Sequence, residues 1–82
     1  MTATYQDIER WLSTAKEKDA SHLIVAVDTY DHSNYPVYVG HDEKVTEEVK
    51  RIESQQMQGI DEVYNMAMNI QEQLSQRRVY NL

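Results

Sequence analysis

The stretch that decides the fold is His22–Gly40, "HLIVAVDTYDHSNYPVYVG". Leu23, Val25 and Val27 alternate with Ile24 and Ala26, so an extended chain turns apolar side chains to both of its faces. Such a strand needs cover on both sides. Asp31, His32, Ser33 and Asn34 are turn formers. "YPVYV", Tyr35–Val39, then reads as a second strand, and Pro36 places it at a sheet edge because proline has no N–H to give to a ladder. The two strands are predicted to pair as an antiparallel hairpin. Gly40 closes the second strand, and "HDE" after it supplies polar N-cap chemistry for a helix.

Upstream, Thr4 and Asp7 stand at capping-box spacing, with Asp in place of Glu. Ile8, Trp11, Leu12 and Ala15 follow at i, i+3, i+4, i+7, one apolar face of a helix over about Tyr5–Lys18. Downstream, the chain reads as helical from Glu43 to about Tyr80. Val45, Val49 and Ile52 form one stripe; Ile60, Val63, Ala67, Ile70 and Leu74 form another. Gly59 lies between them and costs about 1 kcal/mol against alanine inside a helix, so a break is expected between Glu53 and Gly59. The expected fold is α+β, a single domain over 1–82: an N-terminal helix, a two-stranded antiparallel hairpin, and one long kinked or two C-terminal helices, the second over about Gln58–Arg78.

The chain has 82 residues, no cysteine and a net charge of −6. A domain this small buries about 60% of the surface of its unfolded chain and is often helped by disulfides, metal or association. Without cysteine, disulfides and thiolate metal sites are excluded. The stripe made by Ile60, Val63, Tyr64, Ala67, Met68, Ile70 and Leu74 is too wide for a hairpin alone to cover, which predicts a homodimer or higher oligomer. The acidic balance opposes general DNA or RNA binding. "LIVAV" is too short to span a bilayer, and the first residues lack the charged and apolar regions of a secretory signal. A cytoplasmic protein is the expectation.

Chemistry concentrates at the hairpin turn, where Asp28, Asp31, His32 and Asn34 lie close in sequence. These residues fit a divalent metal site, acid–base catalysis, or plain turn chemistry. Turn chemistry is the reading adopted, since no tight histidine pair appears and His22 and His41 lie away from His32. Two glycines exclude a glycine-rich phosphate loop. Tyr30, Tyr35 and Tyr38 read either as packing or as a floor on which a planar ring stacks. Arg77 and Arg78 fit either phosphate contacts or a helix C-terminus that favours cations. No catalytic residue, metal or cofactor is assigned.

"SHLIVAVDTYDHSNYPVYV" resembles a family of small proteins of bacteriophages and some bacteria. That family carries a Ser/Thr-His-apolar-Ile-Val core, then Asp-Thr-Phe/Tyr-Asp, then Tyr-Pro-Val-Tyr-Val. The matching positions are Ser21 to Val27, Asp28 to Asp31 and Tyr35 to Val39. The similarity continues through "MQGIDEVYNMAMNIQEQL" and the "RR" of Arg77 and Arg78, with Gly59 departing from a larger residue. It implies a phage-type accessory protein of the host cytoplasm that acts by binding. The function expected is a non-catalytic sponge for a nucleotide-derived signal in a pocket between subunits. Tyr30, Tyr35 or Tyr38 would stack there, and Arg77 or Arg78 would hold phosphate. The alternatives are a module that binds and inhibits a host protein, and a metal-dependent hydrolase using Asp28, Asp31 and His32.

Overall fold

The hairpin forms as read, and a third strand joins it. The computed structural model describes residues 3–76 and 78–82. Along them run α1 (Tyr5–Glu17), β1 (His22–Asp28), β2 (Ser33–Val39), α2 (Val45–Ser54), β3 (Gln58–Asn65) and α3 (Ile70–Leu74). The sheet order is β2-β1-β3, with both outer strands antiparallel to β1. β1 is central, which is why it is apolar on both faces: Leu23, Ile24, Val25 and Ala26 are all buried. β2 is an edge strand, with Pro36 opposite Val25.

The sheet divides two apolar clusters. On one face Leu12 and Ala15 of α1 meet Leu23, Val25, Tyr64 and Val79, and Ile70 and Leu74 of α3 pack against them. On the other, Val45, Val49 and Ile52 of α2 cover Ile24, Ala26, Val39 and Val63. Fully burying an aliphatic side chain of this size contributes about 1.5–3 kcal/mol. These two layers are therefore the main source of stability.

α1 is built at both ends as its sequence dictates. Thr4 caps the Asp7 N–H and the Asp7 carboxylate accepts from the Thr4 N–H, completing the capping box. At the far end Asp19 takes a left-handed conformation, φ 55°. There the Ala20 N–H reaches the Ala15 carbonyl and the Asp19 N–H the Lys16 carbonyl. This is the paired hydrogen-bond closure of a Schellman end, and buried Ala15 and Ala20 supply its apolar contact.

The C-terminal half departs from the helical expectation. The break after Glu53 is real, since α2 ends at Ser54, but Gln58–Asn65 is a strand. The physical reason is a β-bulge: Val25 pairs with Glu62 while Ala26 pairs with Ile60, leaving Asp61 as the extra residue. The bulge sets Ile60 and Val63, three apart, on the same face. A spacing of three in a bulged strand imitates helical periodicity. α3 is only five residues long, and Val79–Asn81 is an extended strap. The Val63 N–H donates to the Val79 carbonyl at 2.8 Å and the Asn81 N–H to the Val63 carbonyl at 3.0 Å, parallel to β3.

The stripe assigned to an oligomer interface is thereby dispersed. Val63 and Tyr64 are buried within one copy, on opposite faces of the sheet. Ile60, Ile70 and Leu74 are partly buried against the same clusters. Ala67 and Met68 are exposed. No second copy is needed to cover Val63 or Tyr64. The polar segment before α2 also acts otherwise than expected. Lys44 is the N-cap and makes no side-chain cap bond, while the Glu43 carboxylate accepts from the Gly40 N–H and closes the loop instead.

Candidate functional site

The sheet has two ends, and the polar residues singled out in the sequence lie at the turn end. There the Asp28 carboxylate accepts from the Tyr30 N–H at 2.9 Å, and the Asp31 carboxylate from the Ser33 N–H at 3.0 Å. The Ser33 N–H holds the Asp31 carboxyl below its ordinary range. The His32 N–H reaches the Asp28 carbonyl at 2.7 Å, with His32 in a left-handed conformation of φ 61°. Both carboxylates thus serve the turn itself. Among the described residues no three His, Asp or Glu side chains are grouped to hold a metal ion.

The three tyrosines do not make a common floor. Tyr30 projects from the turn and is 79% exposed. Tyr35 packs toward α2 and its hydroxyl donates to Gln58 Oε1. Tyr38 packs toward α1, with the Lys18 ammonium 5.4 Å from its ring centre. Arg78 borders a different cleft with Asp61 and Glu62. Arg77 lies outside the described residues. The phosphate-and-ring pocket expected from these side chains is not brought together within one copy.

The cleft beside Arg78 has a volume of about 210 Å³. Its polar groups are largely spent on one another. Asn34 Nδ2 donates to Asp61 Oδ2 at 2.7 Å and to the Ala26 carbonyl, and Asn34 Oδ1 accepts from the Ala3 N–H. The Glu62 carboxyl is raised above its ordinary value by burial, against the opposing effect of hydrogen bonds from the Tyr64 hydroxyl and the Val79 N–H. Burial likewise pushes the Tyr64 hydroxyl up, and Glu62 adds to the effect.

The opposite, basal end carries a larger cleft of about 390 Å³, within the usual range for small-molecule sites. Its wall is made where three connections meet: the end of α1, the two termini of the hairpin, and the segment after β3. Lys16, Ser21, His22, His41 and Asn65 supply polar groups, and Ala20, Met66 and Ala67 supply apolar surface. The left-handed turn at Asp19 ends α1 so that Lys16 and Asp19 both border the opening. His41 Nε2 lies 3.5 Å from Asp19 Oδ1, and both side chains are exposed. Among the described residues the Lys16 ammonium has no hydrogen-bond or ion-pair partner.

Ser21 and His22 knit this end together. The Ser21 N–H donates to the Val39 carbonyl at 2.7 Å and the Ser21 carbonyl accepts from the Met66 N–H at 2.9 Å. Ser21 Oγ is 2.9 Å from His22 Nδ1, and His22 Nε2 is 3.1 Å from the Leu82 main-chain oxygen. That oxygen can only accept, so Nε2 carries the hydrogen in this contact. Behind the cleft, buried Gln73 imitates a strand. Its Oε1 accepts from the Asn65 N–H and from Asn81 Nδ2, while its Nε2 donates to the Asn65 carbonyl.

The sequence sets His22 and His41 away from His32, and they are assigned no common site there. The hairpin register already contains the correction. His22 pairs with Val39, so His41, two residues on, must fall at the same end. The contributions of Asn65 and Met66 depend on β3 and had no signal in a helical reading.

Comparison with protein-family models, with curated proteins and with solved structures finds no match to this chain.

Proposed function

We propose that this protein is a small non-catalytic binding protein whose basal cleft takes a small anionic ligand. The observation that carries the reading is the Lys16 ammonium, without a partner among the described residues, in a cleft that also holds His22, His41 and the Asp19 carboxylate beside His41, on a chain of net charge −6. Ser21 and Asn65 offer hydrogen bonds, and Met66 with Ala20 and Ala67 offers an apolar wall for the body of the ligand. This supports the sponge expected from the phage-type resemblance, with the site moved from the tyrosines to the sheet's base. The volume lies toward the lower part of the range for such sites, which favours a ligand the size of one nucleotide over a dinucleotide.

The test is melting and calorimetric titration with inorganic phosphate, AMP, ADP-ribose and cyclic dinucleotides. Ligand at 100 times its Kd adds about 2.7 kcal/mol to stability. The expected result is a shift with a single-nucleotide ligand that Lys16→Ala and His41→Ala diminish. A flat response to every compound overturns the reading.

A second reading, an inhibitor of a host protein, is favoured by the turn end. There Tyr30 and Met57 are exposed on adjoining turns joined by the Thr29 N–H to Met57 carbonyl bond of 2.9 Å. Rigid aromatic anchors are common centres of binding energy. Capture of one host protein by the chain, lost in Tyr30→Ala and kept in Lys16→Ala, would select this reading over the first.

A further inference from the structure

We infer that the basal cleft takes up protons together with its anion: His22 and His41 gain charge as the ligand binds, so affinity rises as pH falls. This rests on the anion-binding reading above and specifies how that site is regulated.

Among the described residues, the charged and titratable side chains lining the cleft are Lys16 and Asp19 at the end of α1, His22 at the start of β1 and His41 after β2. With both rings neutral, Lys16 and Asp19 balance, and the lining has no net pull on an anion. With both rings charged, it carries two net positive charges. Glu17, Lys18, Asp42 and Glu43 stand nearby in the chain but outside this lining. Lys18 lies over the Tyr38 ring, and the Glu43 carboxylate is held by the Gly40 N–H. Histidine is the side chain whose ordinary charge change falls between about pH 5 and 8. The balance therefore turns on His22 and His41.

His22 can take a proton without losing a hydrogen bond. Its Nε2–H points to the Leu82 main-chain oxygen at 3.1 Å, which leaves Nδ1 to accept from the Ser21 hydroxyl at 2.9 Å. Ser21 Oγ also lies 3.2 Å from the Val39 carbonyl oxygen and 3.4 Å from that of Gly40. A hydroxyl both donates and accepts, and its hydrogen rotates to suit. When Nδ1 gains a proton it donates to Oγ, and the hydroxyl hydrogen swings to the Val39 carbonyl. The Leu82 contact persists in both states, so His22 acts on the anion through its charge. His41 acts by a different route. Its Nε2 lies 3.5 Å from Asp19 Oδ1, so its charged form offsets the Asp19 carboxylate and leaves Lys16 uncompensated. An anion favours both charged rings, and by reciprocal linkage both charged rings favour the anion.

The experiment is calorimetric titration of the full chain, at constant ionic strength, with sulfate and with cyclic AMP, two probes whose own charges stay constant over this range. Between about pH 8 and about pH 6 affinity is expected to rise about tenfold. His22→Gln and His41→Gln should each cut the rise to about threefold, and the double variant should abolish it. Asp19→Asn keeps the left-handed turn, which asparagine tolerates, and should tighten sulfate binding at the higher pH. On the unaltered protein, ring-proton NMR with saturating sulfate should move the His22 and His41 titrations to higher pH. His32, in the turn at the other end of the sheet, should titrate as it does without sulfate. Affinity that stays constant with pH, or His22 and His41 titrations unmoved by bound sulfate, overturns the proton coupling and leaves the anion site standing. An Asp19→Asn variant that binds sulfate no more tightly overturns the balance assigned to Lys16 and Asp19. Absence of binding by both probes at either pH overturns the coupling and the anion site together.

Discussion

The two ends of the sheet use similar residues for opposite purposes. At the turn end, Asp28 and Asp31 give their carboxylates to backbone N–H groups two residues on, and His32 supplies a left-handed backbone. The polar atoms there are consumed in holding the chain's own shape. At the basal end, the backbone is closed by a Schellman turn and by Gln73. Lys16 and His41 are left facing solvent beside an apolar wall. Functional capacity follows from which polar groups remain after the backbone has been satisfied, and density of polar residues along the sequence does not report it.

This contrast can be broken by substitution. The largest effect is expected at Gln73, which is buried and serves Asn65 and Asn81 together. Gln73→Leu strands the Asn65 N–H, leaves the Asn65 carbonyl with the Met68 N–H alone, and should cost about 2–3 kcal/mol in chemical denaturation. A loss under about 0.5 kcal/mol would mean the basal end is not held as described. Next, Asp28→Ala removes the Tyr30 N–H partner and should cost about 1 kcal/mol while leaving ligand affinity at the base unchanged. A fall in affinity would show that the two ends are not independent. Lys16→Ala and His41→Ala should shift stability by no more than about 0.5 kcal/mol, as exposed substitutions do, yet weaken the anion.

The smallest effect concerns pH. Burial raises the folded-state value of Glu62, so the native state holds its proton more tightly than the unfolded chain does. That contribution is complete below the ordinary glutamate value of 4.5 and is lost as pH climbs through the raised one. Stability attributable to this group therefore falls with rising pH in that window. Glu62→Gln keeps an acceptor for the Val79 N–H and should flatten the fall. An unchanged pH profile in the variant would remove Glu62 as its source.

Much of the first half was legible because local chemistry and tertiary demand agree there. Thr4 and Asp7 cap α1, Leu12 and Ala15 face the core, β1 is apolar on both sides because it is central, and Pro36 marks an edge. The second half was misread at one point with wide effects. Asp61 inserts a residue, so Ile60 and Val63 share a face at a spacing that belongs to helices. Once β3 was taken for a helix, its pairing with β1 was lost, and with it the position of Asn65 and the second wall of the cleft. Gln73 could not be anticipated either, because its partners are backbone groups eight residues away that exist only when Asn65 ends a strand. Of the binding residues expected, the tyrosines were separated by alternation: Tyr35 and Tyr38 are three apart on an unbulged strand and so face opposite ways.

Every open sheet ends in rows of unpaired donors and acceptors that invite another chain to add on and continue the ladder into a fibril. In this molecule both rims are defended, by different means. On β2 the proline opposite Val25 interrupts the donor row at mid-strand, and on β3 the strap at Val79 and Asn81 occupies the row around Val63. Concentrated preparations should accordingly stay free of thioflavin-positive aggregates. Pro36→Val would restore a continuous outer row and make the β2 rim the seed for polymerisation.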